Sequence, residues 1–368
     1  MRRSADRGAL GVPLRLLLGG IKKKDTLMSA GPRRTLSFYR YVKLKDPTLL
    51  RDRLRAEWEC LGVLGRTYLA HEGINAQVSV PAEHLEAFQH HVRSIFPEIP
   101  FKIALEESDS AFAKLKIKVR SKLVADGLSD DAFDVTDVGT HLNAREFNAA
   151  MVQPGTIVVD MRNHYECEVG HFEGAILPDA NTFREALPEV LERLADKKDR
   201  KILLYCTGGI RCEKASAWLK HHGFQDVNQL HGGIIDYARQ AREEGLELKF
   251  FGKNFVFDQR MGERVTDHVV AHCHQCGQGC DEHTNCAYEG CNRLFIQCEA
   301  CRAEFDACCS RVCQDVRSRS KEERIAIQQA WVEQLGPRHY ASRTRVPAHF
   351  AVRRSQLERP PSMPSLET

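Results

Sequence analysis

An apolar run from Ile202 to Tyr205 ends on Cys206 and passes through Thr207-Gly208-Gly209 into a helical pattern carrying Ala215, Ala217, Trp218 and Leu219. That order specifies a strand, a tight loop and a helix. It places a sulfur where backbone N–H groups and the positive end of a helix converge, with Arg211 at the helix entrance. Such surroundings favour thiolate over thiol and can lower a cysteine pKa by a unit or more from about 8.5. Cys206 is therefore the candidate nucleophile or sulfur carrier, and the alternative is an ordinary buried cysteine beside turn-forming glycines.

The same alternation of strand and helix runs from about Ser129 to Leu248. Asn143 to Met151 reads as a helix, Thr156 to Asp160 as a strand, and Ala175 as the start of a short one. Phe183 to Leu194 is helical, Lys201 to Tyr205 is the strand before the cysteine, and Glu213 to His222 is the helix after it. Val227 to Leu230 is a last strand before the helix Ile234 to Glu244. This pattern predicts a parallel sheet covered on both faces, with ligands at the carboxyl ends of its strands. Cys206 and the pair Asp160 and Arg162 fall at such ends, so all three are expected around one pocket.

Before this lies a different rhythm. Phe38 to Leu44 reads as a strand, Asp46-Pro47 opens a helix through Leu61, two strands flank His71-Glu72-Gly73, a helix spans Ala82 to Phe96, and strands follow between Phe101 and Val124. The order β-α-β-β-α-β predicts a ferredoxin-like α+β domain over residues 34–128. In its last strand Lys114, Lys116, Lys118, Arg120 and Lys122 alternate with Leu115, Ile117, Val119 and Leu123. Period two sends these cations to one face, as a phosphate-backbone binder requires. Lysines guarding a solvated edge strand are the alternative.

The chain has 368 residues and 14 cysteines, and ten of the cysteines crowd into Cys273 to Cys313. Paired Cys-x-x-Cys knuckles without a secretory signal point to a reducing, cytoplasmic compartment and a metal-clipped module over 251–315. Taken in chain order, Cys273, Cys276, Cys286 and Cys291 form one ligand set, and Cys298, Cys301, Cys309 and Cys313 a second. Structural zinc suits four soft thiolates, and an iron–sulfur cluster would also accept them. Residues 1–33 read as a disordered leader, with Met28 an alternative start, and 316–368 as a short helix and flexible basic tail. No stretch approaches the roughly 20 apolar residues that span a bilayer. A net charge of +3 neither demands nor excludes a nucleic acid.

Four signatures add a family resemblance: Asp160-x-Arg162, Gly170-His171-Phe172-Glu173-Gly174-Ala175, Cys206-Thr207-Gly208-Gly209-Ile210-Arg211 and Leu230-x-Gly232-Gly233-Ile234. Together they resemble a rhodanese domain, over 129–250, whose loop cysteine works inside a cradle of backbone amides. With Gly73-Ile74-Asn75 before it and Leu294-Phe295-Ile296-Gln297-Cys298 after it, the chain resembles the bacterial rhodanese-like tRNA uridine hydroxylases across residues 36–315. That resemblance implies tRNA as substrate, molecular oxygen as co-substrate, 5-hydroxylation of the wobble uridine, and a required Cys206. Arg211 and the loop residues Thr207, Gly208, Gly209 and Ile210 would hold the thiolate, while Asp160 and Arg162 shape the pocket mouth. Two other readings stand beside it: a sulfurtransferase carrying a persulfide on Cys206, and a non-catalytic tRNA-binding adaptor.

Overall fold

The structure is a computed structural model that describes residues 31–104, 111–129 and 133–335. Most of the expected leader and the tail beyond residue 335 lie outside the described residues.

Strand β1 (Arg33–Tyr41) leads to helix α1 (Pro47–Cys60), strands β2 (Leu64–Ala70) and β3 (Gly73–Pro81), helix α2 (Leu85–Ile95), and strands β4 (Lys102–Ile103) and β5 (Leu115–Val119). Asp46 caps α1 by accepting from the backbone of Thr48 and Leu49, and Pro47 occupies its first turn. The sheet order is β4-β1-β3-β2-β5. β3 runs antiparallel to both β1 and β2, whereas β5 joins β2 in parallel at the edge. The first four strands have the ferredoxin-like order, and the basic strand is a fifth added beside them.

Alternation in these strands builds one buried face and one open face. Leu36, Phe38, Ala76, Val78, Leu69 and Ile117 point to the helices and join Trp58 and Phe88 in a core. Phe38, Trp58 and Phe88 meet with ring centroids 5.2 to 6.3 Å apart. Burying each ring contributes roughly 2–3 kcal/mol.

The middle of the chain forms the parallel sheet. Its strands are β6 (Thr140–Leu142), β7 (Ile157–Asp160), β9 (Lys201–Tyr205) and β10 (Asp226–Leu230), in the order β6-β10-β9-β7. Helices α3 (Ala144–Met151), α4 (His164–Cys167), α5 (Phe183–Arg193), α6 (Ile210–His221) and α7 (Gly233–Glu244) connect or follow them. Helix α6 begins at Ile210, three residues ahead of the start expected from the apolar pattern, so Arg211 sits inside its first turn. The strand expected at Ala175 reduces to a single bridge between Ile176 and Val159. A strand forms instead at β8 (Gly170–Phe172).

The aromatic link after residue 249 is a strand of the central fold. β11 (Phe250–Asn254) runs antiparallel to β8 and to β12 (Glu263–Arg264). A hairpin of β13 (His283–Asn285) and β14 (Leu294–Ile296) follows, then helices α8 (Glu299–Glu304), α9 (Arg311–Ser318) and α10 (Lys321–Leu335). No helix among the described residues is long and apolar enough to cross a membrane.

Gly73 opens β3 at φ +138°, and a Cβ there would stand 1.9 Å from the Arg40 carbonyl oxygen. Gly174 has φ +67° with nothing within 4 Å of a Cβ. Gly73→Ala should therefore cost at least about 2 kcal/mol and Gly174→Ala about 1 kcal/mol, read by denaturant unfolding.

Candidate active site and metal centres

The carboxyl end of β9 delivers Cys206 to the floor of a cleft of about 490 Å³. The backbone N–H of Gly209 donates to Cys206 Sγ at 3.1 Å. Gly209 has φ +97°, a left-handed conformation that folds the loop back over the sulfur. Burial pushes the Cys206 thiol up. A hydrogen bond from the Cys212 thiol, the Arg211 charge and the backbone N–H groups of Arg211 and Cys212 outweigh it and bring it down to about 5. Cys212 moves the opposite way: burial and then the neighbouring Cys206 hold it as a thiol. The pair is a thiolate acceptor and a thiol donor.

Arg211 acts on the sulfur through its charge, because its guanidinium is bonded elsewhere. Both terminal nitrogens reach Glu166, each at 2.7 Å, and Nη2 also donates to Thr207 Oγ1 at 3.3 Å. Glu166 is fully buried, and burial raises its carboxyl while Arg211 more than reverses this. Sequence reasoning missed Glu166. Its signal was the capping box Asn163-x-x-Glu166 at the start of α4.

Asp160 and Arg162 do not shape the pocket mouth. Both are 0% exposed, and Arg162 grips Asp160 through Nε and Nη2 and donates from Nη2 to the Gly170 carbonyl. Their place at the end of β7 is as expected, but the side chains turn into the sheet, so the pair ties β7 to β8. Thr207, Gly208, Ile210 and Arg211 do line the cleft beside Cys206, while Gly209 meets Sγ through its backbone N–H.

The opposite wall comes from the open face of the N-terminal sheet. Register aligns Lys116, Arg66, Gln77, Ser37 and Lys102 in one row across five strands. Lys118, Tyr68, Asn75 and Tyr39 form the next. Tyr39 donates to Glu213 Oε1 at 2.8 Å, and Glu213 also receives Gln229 at 2.9 Å and meets His141 at 3.0 Å. Lys214 is buried between Asp126 at 2.6 Å and Glu72 at 2.9 Å. The first turn of α6 thus fixes both the cysteine loop and the facing sheet. The third wall is Val256, Phe257, Asp258, Arg260 and Glu263 from the C-terminal part.

Of the basic set, Lys114, Lys116, Lys118 and Arg120 are exposed. Lys122 is not part of that surface: the strand ends at Val119, and the Lys122 ammonium turns inward to Asp126 at 2.8 Å and the Leu128 carbonyl. The strand's open face is continuous with the cleft wall, which the sequence could not reveal.

All eight expected metal-ligating cysteines gather, but in a different partition. Cys273, Cys276, Cys298 and Cys301 form one group, and Cys286, Cys291, Cys309 and Cys313 the other, each with its sulfurs within 4.8 Å of one another. Chain order misled because the β13–β14 hairpin folds each early pair against a later one. Sulfurs 3.6 to 3.7 Å apart, as in Cys276–Cys298, Cys291–Cys309 and Cys309–Cys313, match the roughly 3.8 Å edge of a tetrahedron with 2.3 Å Zn–S bonds. Backbone N–H groups of Cys298 and Cys309 also point at the sulfurs of Cys273 and Cys286, each at 3.4 Å. Four thiolates at this spacing fit zinc in both groups.

Two outcomes are expected. Alkylation of Cys206 by iodoacetamide should hold its full rate down to about pH 6 and fall below it, since the nucleophile is lost as pH drops through the thiolate pKa. Elemental analysis should find two zinc ions per chain, and Cys276→Ser should weaken one while leaving the Cys286 group loaded.

Three family models match in succession: the UPF0176 acylphosphatase-like domain over residues 33–123, the rhodanese-like domain over 143–240 and the rhodanase C-terminal region over 251–314. The tRNA uridine(34) hydroxylase of Leptospira interrogans is 58% identical over 297 residues, covering 80% of this chain and 81% of its own length. Those of Cronobacter sakazakii and Escherichia coli are each 53% identical, covering 81% and 79% of this chain and 86% and 84% of their own. At that identity and coverage, the chain belongs to the tRNA uridine(34) hydroxylase family.

Proposed function

We propose that the chain hydroxylates C5 of uridine 34 in tRNA, with molecular oxygen as co-substrate and Cys206 as the nucleophile that prepares the ring. The observation that carries this reading is the position of the thiolate: it lies on the floor of a cleft whose facing wall is aromatic, amide-bearing and cationic. A persulfide carrier serving small thiols has no need of such a wall. A nucleotide does, because its base stacks, its edge hydrogen-bonds and its phosphates seek cations.

Addition of the Cys206 sulfur to C6 of uracil would push the C5=C6 electron pair toward the C4 carbonyl. C5 then becomes the electron-rich carbon at which the hydroxyl is installed. Arg211, held in place by Glu166, and the loop amides keep the nucleophile ionised at neutral pH. Tyr39, Tyr68 and Asn75 offer stacking surfaces and an amide for the base. Lys114, Lys116, Lys118 and Arg120 continue outward along the sheet, where the anticodon-loop backbone would pass. Zinc in the two cysteine groups has a structural role, bracing the segment that forms the third wall. The protein works in the cytoplasm, where tRNA is found and thiols stay reduced.

Nucleoside mass spectrometry of tRNA from cells lacking the gene tests the assignment. The 5-hydroxyuridine-derived nucleosides at position 34 should vanish, return with the full-length chain, and stay absent with Cys206→Ser. Loss of a thiolated nucleoside instead would identify sulfur transfer. Lys116→Glu with Lys118→Glu should weaken tRNA binding tenfold or more and flatten the salt slope by about 2, leaving Cys206 alkylation unchanged.

A further inference from the structure

Strand β4 is two residues long, and its register sets Lys102 opposite Ser37 on the face that looks into the cleft. The residue is only 5% exposed. Its Nζ stands 4.1 Å from the centroid of the Tyr39 ring. The Tyr39 hydroxyl in turn lies against the cysteine loop, 2.7 Å from where a Cβ on Gly209 would be. An ammonium is thus shelved on a ring that touches the loop, lining the same cavity as Cys206 and Asn75.

Buried lysines are normally paired with a carboxylate. The Lys102 ammonium makes no hydrogen bond or ion pair among the described residues. Among the described residues, the carboxylates that act on it are committed elsewhere: Glu213 to Tyr39, His141 and Gln229, and Asp236 to Arg239 and Gln240. The other groups facing it are Cys206 from the loop, His231 ahead of α7 and Tyr39 from β1. Burial lowers the ammonium to about 8, with Cys206, Asp236 and Glu213 pulling the other way. A phosphate anchor would sit outside with Lys116 and Lys118, whereas a donor this deep beside the nucleophile is placed for the base itself.

We propose that Lys102 is a catalytic residue whose ammonium donates to O4 of the bound uracil and stabilises the enolate formed when Cys206 adds to C6. The proposal rests on the thiolate-addition reading above. In the step, a sulfur lone pair forms the S–C6 bond, the C5=C6 π pair moves to C4–C5, and the C4=O4 π pair comes to rest on O4. Lys102 meets that charge with a hydrogen bond and can pass its proton to give the enol and a neutral amine. Return of the proton and cleavage of S–C6 restore both groups. No oxidant enters this step.

The test uses the full chain with an anticodon stem-loop RNA carrying 5-fluorouridine at position 34, scoring the covalent adduct on denaturing gels. Rates are compared at neutral pH, where the Lys102 ammonium and the N3–H of the 5-fluorouracil ring both keep their protons. Lys102→Met should slow it about 100-fold with RNA affinity changed less than about threefold, as for removal of one preorganised donor. Lys102→Arg, which keeps a charged donor, should recover much of the rate. Adduct formation by Lys102→Met at the unsubstituted rate, or a variant that loses RNA affinity alone, would overturn the proposal. Absence of any adduct on the unsubstituted chain would instead remove the thiolate-addition reading on which it stands. Iodoacetamide labelling of Cys206 in each variant confirms that the loop is folded.

Discussion

The cleft exists because one lysine is buried between two domains. Lys214 Nζ lies between Asp126 and Glu72, with Lys122 closing the other side of Asp126. Two cations and two anions cancel there, with Lys214 and Asp126 nearly shut off from water and Lys122 and Glu72 partly open to it. Removing one partner of such a set typically costs about 3–5 kcal/mol, because a desolvated charge is left behind. The geometry follows from that constraint. Glu72 lies in the turn just before β3, Lys214 lies one turn beyond the cysteine loop, and joining them turns the open face of the N-terminal sheet toward Cys206. Glu213, the residue before Lys214, reaches the same sheet through Tyr39.

A second pair of buried charges, Arg211 and Glu166, solves a different problem. A guanidinium bonded directly to the sulfur would compete with a substrate for it. Engaged by Glu166 through both terminal nitrogens, the Arg211 guanidinium lowers the thiolate energy through its field and leaves the direct contacts to Cys212 and to the loop's backbone N–H groups. The nucleophile stays ionised without being occupied. Arg162 and Asp160 repeat the bidentate pairing outside the cleft lining, where it holds strands together and adds to the positive field on Glu166.

What could be read from the sequence was what short-range periodicity encodes. Lys201–Tyr205 was legible as a strand because its apolar run is bounded by a charge and a glycine turn, and Cys206 because chemistry at a strand end is local. The basic strand's alternation was legible too, but not which object its cations face, since that depends on Lys214 docking two domains. Lys122 escaped the pattern because the strand stops at Val119 and the following turn redirects the side chain. The eight cysteines announced themselves, whereas their partition depends on the β13–β14 hairpin, whose pairing no spacing reveals. Glu166 and Lys102 were invisible for a common reason: each acquires its role from a group far away in sequence.

The third wall of the cleft, Val256 to Glu263, follows β11, which pairs with β8 in the central fold, while Phe255 shares a core with Cys273 and Cys301. During synthesis the cysteine loop leaves the ribosome well before that wall and before either metal group can close. For that interval a nascent chain carries the elements of an activated thiolate without the shielding that the finished protein gives it. The metal-braced module is thus also a cover for a reactive sulfur made before it.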